Sequence, residues 1–423
     1  MAVIAFLICP PRMRRHSVER MRVLLEFNPC RTERADTGVV FLGKKLILRY
    51  MKSFFIRVRN FKMKWLYKWF LRSYFFKQDP EDVHEQMLRW GARLGRSRFG
   101  RGLIKLVFGY SHLALFQRVM GIDFKNPVGL AAGFDKNGQL VEILGSVGFG
   151  FTEVGSITGK PCVGNKKPRL WRLVKEKSLA VHYGLKNDGA SDVCVRLRAV
   201  EATIPFGISV AKTNSQETVD IQAGIDDYAI GVKEAMDVGS FLVINISCPN
   251  AFGGQPFHDK VVFDALFEKL DTLASEKPVL IKISPDLSNS EVDGIIEVAR
   301  THKVRGFVVA NLSKKFDRQN VIDEMSNKRG GLSGKLVEER ANELIGYIYK
   351  QTKGEFCIIG CGGIFSAEDA YTKIKLGANL VELITGMIYE GPQLISSVNE
   401  GLVRLLKKDG FTNIGEAVGA GQV

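Results

Sequence analysis

The chain lacks the features that would place it in several large functional classes. Its seven cysteines (9, 30, 162, 194, 248, 357 and 361) are odd in number and include no Cys-x-x-Cys pair, and no histidine stands at a zinc-like spacing from them. That argues against a disulfide framework or a structural metal and fits a reducing compartment. No window supplies the roughly 20 uninterrupted apolar residues that cross a bilayer. The apolar start of the chain ends at Arg12. Acid is missing from one segment altogether: between Phe41 and Lys77 there are 11 basic side chains, 12 aromatic ones and no Asp or Glu. What the chain has, 45% apolar and 25% charged residues over 423 positions, excludes wholesale disorder and is enough for one large domain with an extension.

The charge is concentrated rather than spread. A net +15 would suggest nucleic acid or an anionic membrane as a partner if it covered the whole molecule. Residues 1 to 76 carry 17 Lys/Arg against four acids, whereas the remaining 347 residues net only +2. The body is thus nearly neutral, and no nucleic-acid partner is expected for it. The stretch FFIRVRNFKMKWLYKWFLRSYFF from Phe54 to Phe76 has the composition of a helix lying in a membrane interface, with Trp and Tyr at headgroup depth and Lys/Arg against anionic lipid. An arm packed on its own protein, or one stacking on RNA bases, shares that composition. Residues 1–50 read as a leader or unstructured basic segment, with Met51 and Met63 as later candidate starts. The division expected is therefore 1–50 leader, 51–115 membrane-associating helical extension and 116–423 catalytic body.

After Asp79, an N-cap followed by Pro80 at the first helical position, the pattern becomes regular. Eight apolar runs alternate with helical stretches: residues 126–133, 150–156, 205–212, 241–247, 278–284, 305–311, 356–363 and 379–386. Continuous apolar strands separated by helices imply parallel pairing with both faces covered, and eight such units are the number in a (β/α)8 barrel, the α/β architecture known as a TIM barrel. Barrels place chemistry at the carboxyl ends of their strands. Here those ends carry Lys136, Ser156, Lys212, Cys248 with Asn250, Lys282, Asn311, Gly362 with Gly363, and Thr385.

Three of these ends point to particular chemistry. The seventh run closes in GCGGIFSAEDA and the eighth in ITGMIYEGP, so Gly-rich backbone opens a helix at the two strands where barrels bind phosphate. A phosphorylated cofactor follows. NISCPN sets the Cys248 thiol between the amides of Asn245 and Asn250. A buried cysteine is ordinarily inert packing, and with no neighbouring histidine an acyl-transfer pair is disfavoured, but a thiolate acting as proton acceptor needs no such partner. Lys282 is a cation within an apolar strand, a costly placement that implies either a bound anion or an internal ion pair.

Taken in order, AAGFDKNG, EVGSITGKP, NISCPN, VLIKISPDL, GGLSG, IIGCGG and the closing GFTNIGEAVGA resemble the dihydroorotate dehydrogenases, over nearly everything from Gln78 to Ala420. The resemblance implies a (β/α)8 barrel with FMN at the strand ends, oxidising dihydroorotate to orotate in pyrimidine synthesis. QDPEDVH and the terminal GFTNIGEAVGA are similar to the class 2, quinone-dependent branch, and the basic extension fits it. By position, the resemblance implies FMN contacts at Ala132, Gly133, Ser156, Asn245, Lys282, Gly334, Gly363 and Thr385. It also implies a substrate shell of Lys136, Asn245, Asn250 and Asn311, catalysis by Cys248 and Lys282, a quinone tunnel at Arg172, and no metal.

Peripheral attachment to the cytoplasmic face of a bacterial inner membrane, or to a mitochondrial inner membrane, would follow. Several residues depart from the class 2 pattern: Cys248 and GLKN at 184–187 resemble class 1, Val181 and Ser209 replace asparagines, Ala310 and Leu312 replace a threonine pair, and GKLVEE lacks a proline. These departures keep open a class 1 enzyme using fumarate or NAD, and a degenerate barrel that binds membrane or RNA.

Overall fold

Each of the eight apolar runs becomes one strand of a closed parallel barrel. In chain order the strands are β1 (Val128–Leu130), β2 (Phe151–Ile157), β3 (Phe206–Val210), β4 (Phe241–Asn245), β5 (Val279–Ile283), β6 (Val304–Val309), β7 (Cys357–Cys361) and β8 (Leu380–Leu383). Each pairs with its sequence neighbours, and β8 closes on β1. This computed structural model describes residues 53–248, 254, 256–273, 276–316, 321–323 and 329–422. The leader read over 1–50, and Asn250, lie outside those residues. Phe55–Val423 form one compact unit, and of the preceding unit only Ser53 and Phe54 are described.

The barrel interior is stratified. Val243, Leu280, Val308, Ile359 and Leu380 fill the lower layer without exposure, and Phe124 caps it, its ring 5.4 Å from that of Phe151. Phe124 comes from a hairpin, Gln117–Val119 with Ile122–Phe124, that plugs the amino-terminal end. Its two-residue turn puts Met120 and Gly121 at φ +52° and +78°, the left-handed pair that matches the strand twist. A second insertion sits at the other end. Leu170–Leu173, Ser178–Val181 and Gly331–Gly334 form an antiparallel sheet, drawn from the segments after β2 and after β6, which carries Arg172, Val181 and Gly334 over the barrel mouth.

The helical extension packs across that mouth. Helix α1 (Pro80–Gly95) begins as the sequence requires: the Asp79 carboxylate accepts from the Glu81 and Asp82 amides at 2.8 and 3.2 Å, with Pro80 in the first turn. Helix α2 (Arg98–Phe108) starts at Ser97, whose hydroxyl accepts from the Gly100 amide at 3.2 Å. α1 is pinned by a buried ion pair, Glu81 to Arg169, with Nη2 at 2.7 Å and Nε at 3.1 Å.

Residues 53–75 are helical, with a π turn at Tyr67–Leu71. Part of their charge is spent on the protein's own body. Arg59 donates to the carbonyls of Leu106 and Gly109 and to Ser396 Oγ at 2.7 Å, Lys64 and Lys68 both reach Glu390, and the Tyr67 hydroxyl donates to Ile388 O at 2.6 Å. The aromatics on the other side stay exposed, Phe61 at 71%, Trp69 at 68% and Tyr74 at 64%. This helix therefore packs basic side chains on its own protein, one of the alternatives its composition left open, and leaves aromatic side chains exposed. Among the described residues, no helix is long and apolar enough to cross a membrane.

Candidate functional site

One cavity of about 590 Å³ runs from the carboxyl ends of the strands to the underside of α1 and α2, and its two ends are chemically unlike. Lys136, Ser156, Asn245, Cys248, Lys282, Asn311 and Thr385 line the barrel end. Ala132, Gly133, Gly334 and Gly363 line it too, so of the site residues read from the sequence, every one that is described meets here. The outer end is walled by Val83, Met87, Leu94, Ile104, Phe108 and Leu144, with Arg172 at its rim. There the Arg172 guanidinium lies 4.7 Å from the Phe76 ring centroid and donates to Gln78 O at 2.9 Å, which fixes a cation over an apolar passage.

At the barrel end a hydrogen-bonded chain orients the amides. Asn311 Nδ2 donates to Asn245 Oδ1 at 3.1 Å and to Ser247 Oγ at 3.0 Å, and Asn245 Nδ2 donates to Ser156 Oγ at 2.8 Å. Ser156 Oγ in turn lies 2.9 Å from Ser209 Oγ, so the serine at 209 joins the network by its hydroxyl. Tyr228 donates its hydroxyl to Asn245 O at 2.9 Å from behind. The buried Lys212 is held on Thr218 O at 2.6 Å and stands close enough to the half-buried Cys248 for the two to interact electrostatically. An ammonium near a cysteine favours charge on sulfur.

Two cations show what the site does to charge. Lys136 lies inside the cavity with its Nζ 3.9 Å from the Tyr183 ring centroid, and enclosure, then the neighbouring Lys186 ammonium, lower it to about 7. It is a cation waiting for an anion. His84 beside it is held neutral, lowered to about 3 by burial and by Lys136, and donates from Nε2 to Phe134 O at 2.7 Å. Lys282 is the reverse case. Its Nζ stands 3.1 and 3.3 Å from the two carboxylate oxygens of Glu153, and although burial alone would lower it, the Glu153 and Glu382 carboxyls outweigh burial and raise it. The internal ion pair and the cavity position coexist in one residue.

The residues present fit a flavin mononucleotide. At the ends of β7 and β8, Gly363 sits at φ +78° and a Cβ there would collide with Glu338, while Gly386 leaves no room for a side chain against the Ile364 carbonyl. Backbone N–H groups are thereby bared at two helix starts, and the Ser333 and Thr385 hydroxyls, 2.9 Å apart, stand beside them, a donor set suited to a phosphate. Ala131, Ala132, Gly133 and Gly155 line the cavity with little or no side chain, room that a flavin ring would take, and Lys282 lines the same cavity. Glu153, Glu382, His84 and Tyr183 were not singled out for the site by sequence reasoning, and Lys212 was read only as a strand-end residue without a role. The signal for the first two was the one that flagged Lys282: an ionisable residue inside an apolar strand run, in FTEVGS and in NLVELITG.

Residues 114–406 match the family model for dihydroorotate dehydrogenase. A protein of Crocosphaera subtropica named dihydroorotate dehydrogenase (quinone) is 37% identical over 360 residues, covering 81% of this chain and 94% of its own length. One of the same name from Haloarcula marismortui is 38% identical over 300 residues, covering 71% and 84%. The crystal structure of DHODH from Eimeria tenella in complex with ferulenol superposes with a TM-score of 0.71 at 29% identity, covering 81% of this chain and 96% of that one.

Proposed function

Because the chain belongs to the dihydroorotate dehydrogenase family of flavin-dependent oxidoreductases, we propose that it oxidises dihydroorotate to orotate at the barrel end of the cavity and delivers the electrons to a membrane quinone at the apolar end, in pyrimidine biosynthesis. The observation that carries this reading is the single cavity with a polar, amide-lined floor and an apolar outer passage. A polar, planar, anionic substrate and a lipophilic oxidant need opposite surroundings, and both are provided around one recess.

The residues that would hold FMN are Gly363 and Thr385 at its phosphate and Ala132, Gly133, Ser156 and Gly334 at its ring; bound there, it would supply a two-electron carrier between dihydroorotate and quinone. The chain's own residues do the rest. Lys136 pairs with the substrate carboxylate, regaining its proton as the anion arrives. Asn245 and Asn311, already locked to each other and to Ser156 and Ser247, present amide groups to the pyrimidine edge, and Asn250 would join them. Cys248, with Lys212 stabilising charge on its sulfur, takes the proton from C5. Lys282, kept cationic by Glu153, stands where negative charge develops and needs no reorganisation to meet it.

The extension 51–115 supplies the outer half of the site. Its exposed Trp65, Trp69, Phe70 and Tyr74 would enter a lipid interface peripherally, placing the Arg172 rim at headgroup depth, so that quinone enters from the bilayer beneath α1 and α2. The test is spectroscopic. Under anaerobic conditions dihydroorotate should bleach the flavin absorbance of the purified protein, and a long-chain quinone should restore it. Protein without flavin, or flavin that dihydroorotate leaves coloured, would overturn the assignment, and restoration by fumarate or NAD instead would reassign the oxidant.

A further inference from the structure

Three ionisable side chains meet inside the barrel at the cavity floor, which Lys282 and Glu382 line and Glu153 backs. Glu153 on β2 and Glu382 on β8 are wholly excluded from solvent, and Lys282 on β5 is 4% exposed. Gly129 on the intervening β1 pairs in register with Glu382 and with Phe151. It presents no side chain inward, and a Cβ there would strike the Phe151 ring, so the β8 and β2 carboxyls approach across it. Lys282 Nζ is committed to Glu153, at 3.1 and 3.3 Å. Neither carboxyl oxygen of Glu382 receives a hydrogen bond from any donor among the described residues.

Two carboxylates against one ammonium would leave a net negative charge in a dry interior, with one of the carboxylates lacking any donor, the most costly arrangement available. A single proton removes the excess charge, and it also explains the missing donor, because a carboxylic acid at 382 donates to Glu153 and needs no donor itself. The surrounding groups agree. Cys361, in register with Glu382 on β7, is a neutral thiol pushed up to about 12 by burial. Beyond it Lys373, lowered to about 8 by burial, donates to Asn342 Oδ1 at 2.7 Å and not to Glu382. Burial first, then the Glu153 charge, push the Glu382 carboxyl well above the usual carboxylate range, and Lys282 opposes this without reversing it.

We propose that Glu382 is a carboxylic acid at neutral pH, donating its proton to Glu153, and that this acid–carboxylate–ammonium set is a positioning device that holds Lys282 cationic and directed at the cavity floor. The set is neutral apart from its hydrogen bonds only while the proton stays. Resting on the reading that a flavin lies above Lys282, loss of that proton places a negative charge under the cofactor and lowers its midpoint potential. Glu382 is a positioning residue, acting through Glu153 and Lys282.

The experiment compares wild type with Glu382→Gln, which keeps the shape and the donor and has no proton to lose, by three readouts. The infrared carbonyl stretch of a buried protonated carboxyl is present in wild type at pH 7 and missing from Glu382→Gln. In thermal unfolding, a raised folded-state pKa means that stability present at low pH is lost as pH rises, so wild type loses up to tenfold per pH unit in its folding constant relative to the variant from about pH 5 upward, still widening at pH 7. The flavin midpoint potentials of the two proteins coincide at pH 7 and separate only in alkali, wild type falling lower. A wild-type spectrum without that band, a stability gap already constant from pH 5, or a potential raised by Glu382→Gln at pH 7 would each overturn the proposal. Should Glu382→Gln not fold, Glu153→Gln serves: one carboxyl then faces one ammonium, Glu382 ionises and the band disappears, and its persistence would overturn the proposal. The infrared and unfolding readouts do not require dihydroorotate to reduce the flavin, so failure of the functional reading leaves them interpretable.

Discussion

The barrel end and the helical end of the cavity hold their shape by opposite means. At the barrel end Ser156, Asn245 and Lys282 rise from strands fixed by ladder hydrogen bonds, Lys136, Cys248 and Asn311 follow strand ends, and several are tied together: Asn311 to Asn245, Asn245 to Ser156, Lys282 to Glu153. At the helical end the lining is loose aliphatic surface from α1 and α2, secured to the body at a few polar points such as Glu81–Arg169 and Tyr67–Ile388. Precise geometry is needed where a hydride and a proton leave adjacent carbons, and only access is needed where electrons pass to a lipophilic acceptor. The contrast teaches that the two half-reactions can be damaged separately.

The largest effect should come from the rigid end. Cys248→Ala should leave cofactor bound while slowing its reduction by dihydroorotate about a hundred- to ten-thousand-fold, as stopped-flow absorbance would read. Cys248→Ser should keep weak activity with an alkaline-shifted profile, because a free thiol ionises near pH 8.5 and a hydroxyl far above it. Reduction at the wild-type rate in Cys248→Ala would remove the base from this end of the comparison.

Next comes the anchor of the loose end. Glu81→Gln strands Arg169 in a buried site and should cost about 3 kcal/mol of unfolding free energy in denaturant titration. Burial raises the Glu81 carboxyl, but the hydrogen bond and charge of Arg169 outweigh it and hold the group low. The pair therefore stabilises above the ordinary carboxyl pKa, and the gap between wild type and variant should close as pH falls through the depressed folded value. A gap that did not respond to acid would show that packing, not charge, fixes α1. The same pair explains why cutting the chain at Phe116 is a poor separation of the two ends: it removes Glu81 and bares the faces of Leu140 and Ile143 that α1 and α2 cover.

A smaller effect concerns the substrate cation. With Lys136 lowered to about 7 in the free protein, orotate binding should be nearly flat below pH 7. Above it, affinity should weaken by up to tenfold per pH unit, as a proton must be taken up with the anion. Calorimetry across pH 6 to 9 checks this, and Lys136→Met should bind weakly with no such slope. Smallest of all, Trp69→Ala should reduce partitioning onto anionic vesicles by about 1 kcal/mol, roughly fivefold, with high salt releasing the wild type only in part. Complete release by salt would mean that the cations left over from docking, not the aromatic face, carry attachment.

Legibility in the sequence followed the same division. The eight strands were visible because buried parallel strands read as continuous apolar runs, and the start of α1 was visible to the residue because Asp79 and Pro80 are a start signal with a mechanism. The hairpin at 117–124 and the sheet built from 170–173, 178–181 and 331–334 were not, since strands of three or four residues with mixed burial have no periodicity to detect. The run at 126–133 shortened to Val128–Leu130 because its second half, AAG, forms recess rather than ladder. Lys282 could be flagged as anomalous but not assigned, as its partners Glu153 and Glu382 lie 129 and 100 residues away in the chain and only barrel closure brings them together. The docking of Arg59, Lys64 and Lys68 was equally hidden, for composition does not say which face of a basic helix meets its own protein.

The most direct test of the division is to obstruct the loose end alone and time both half-reactions. Met87→Trp on α1 places bulk in the apolar passage without touching a strand-end residue. In stopped flow it should reduce its flavin with dihydroorotate at the wild-type rate and be reoxidised by long-chain quinone at least tenfold more slowly. Equal slowing of both steps, or quinone reoxidation at full speed, would contradict a cavity with one end for the pyrimidine and the other for the quinone.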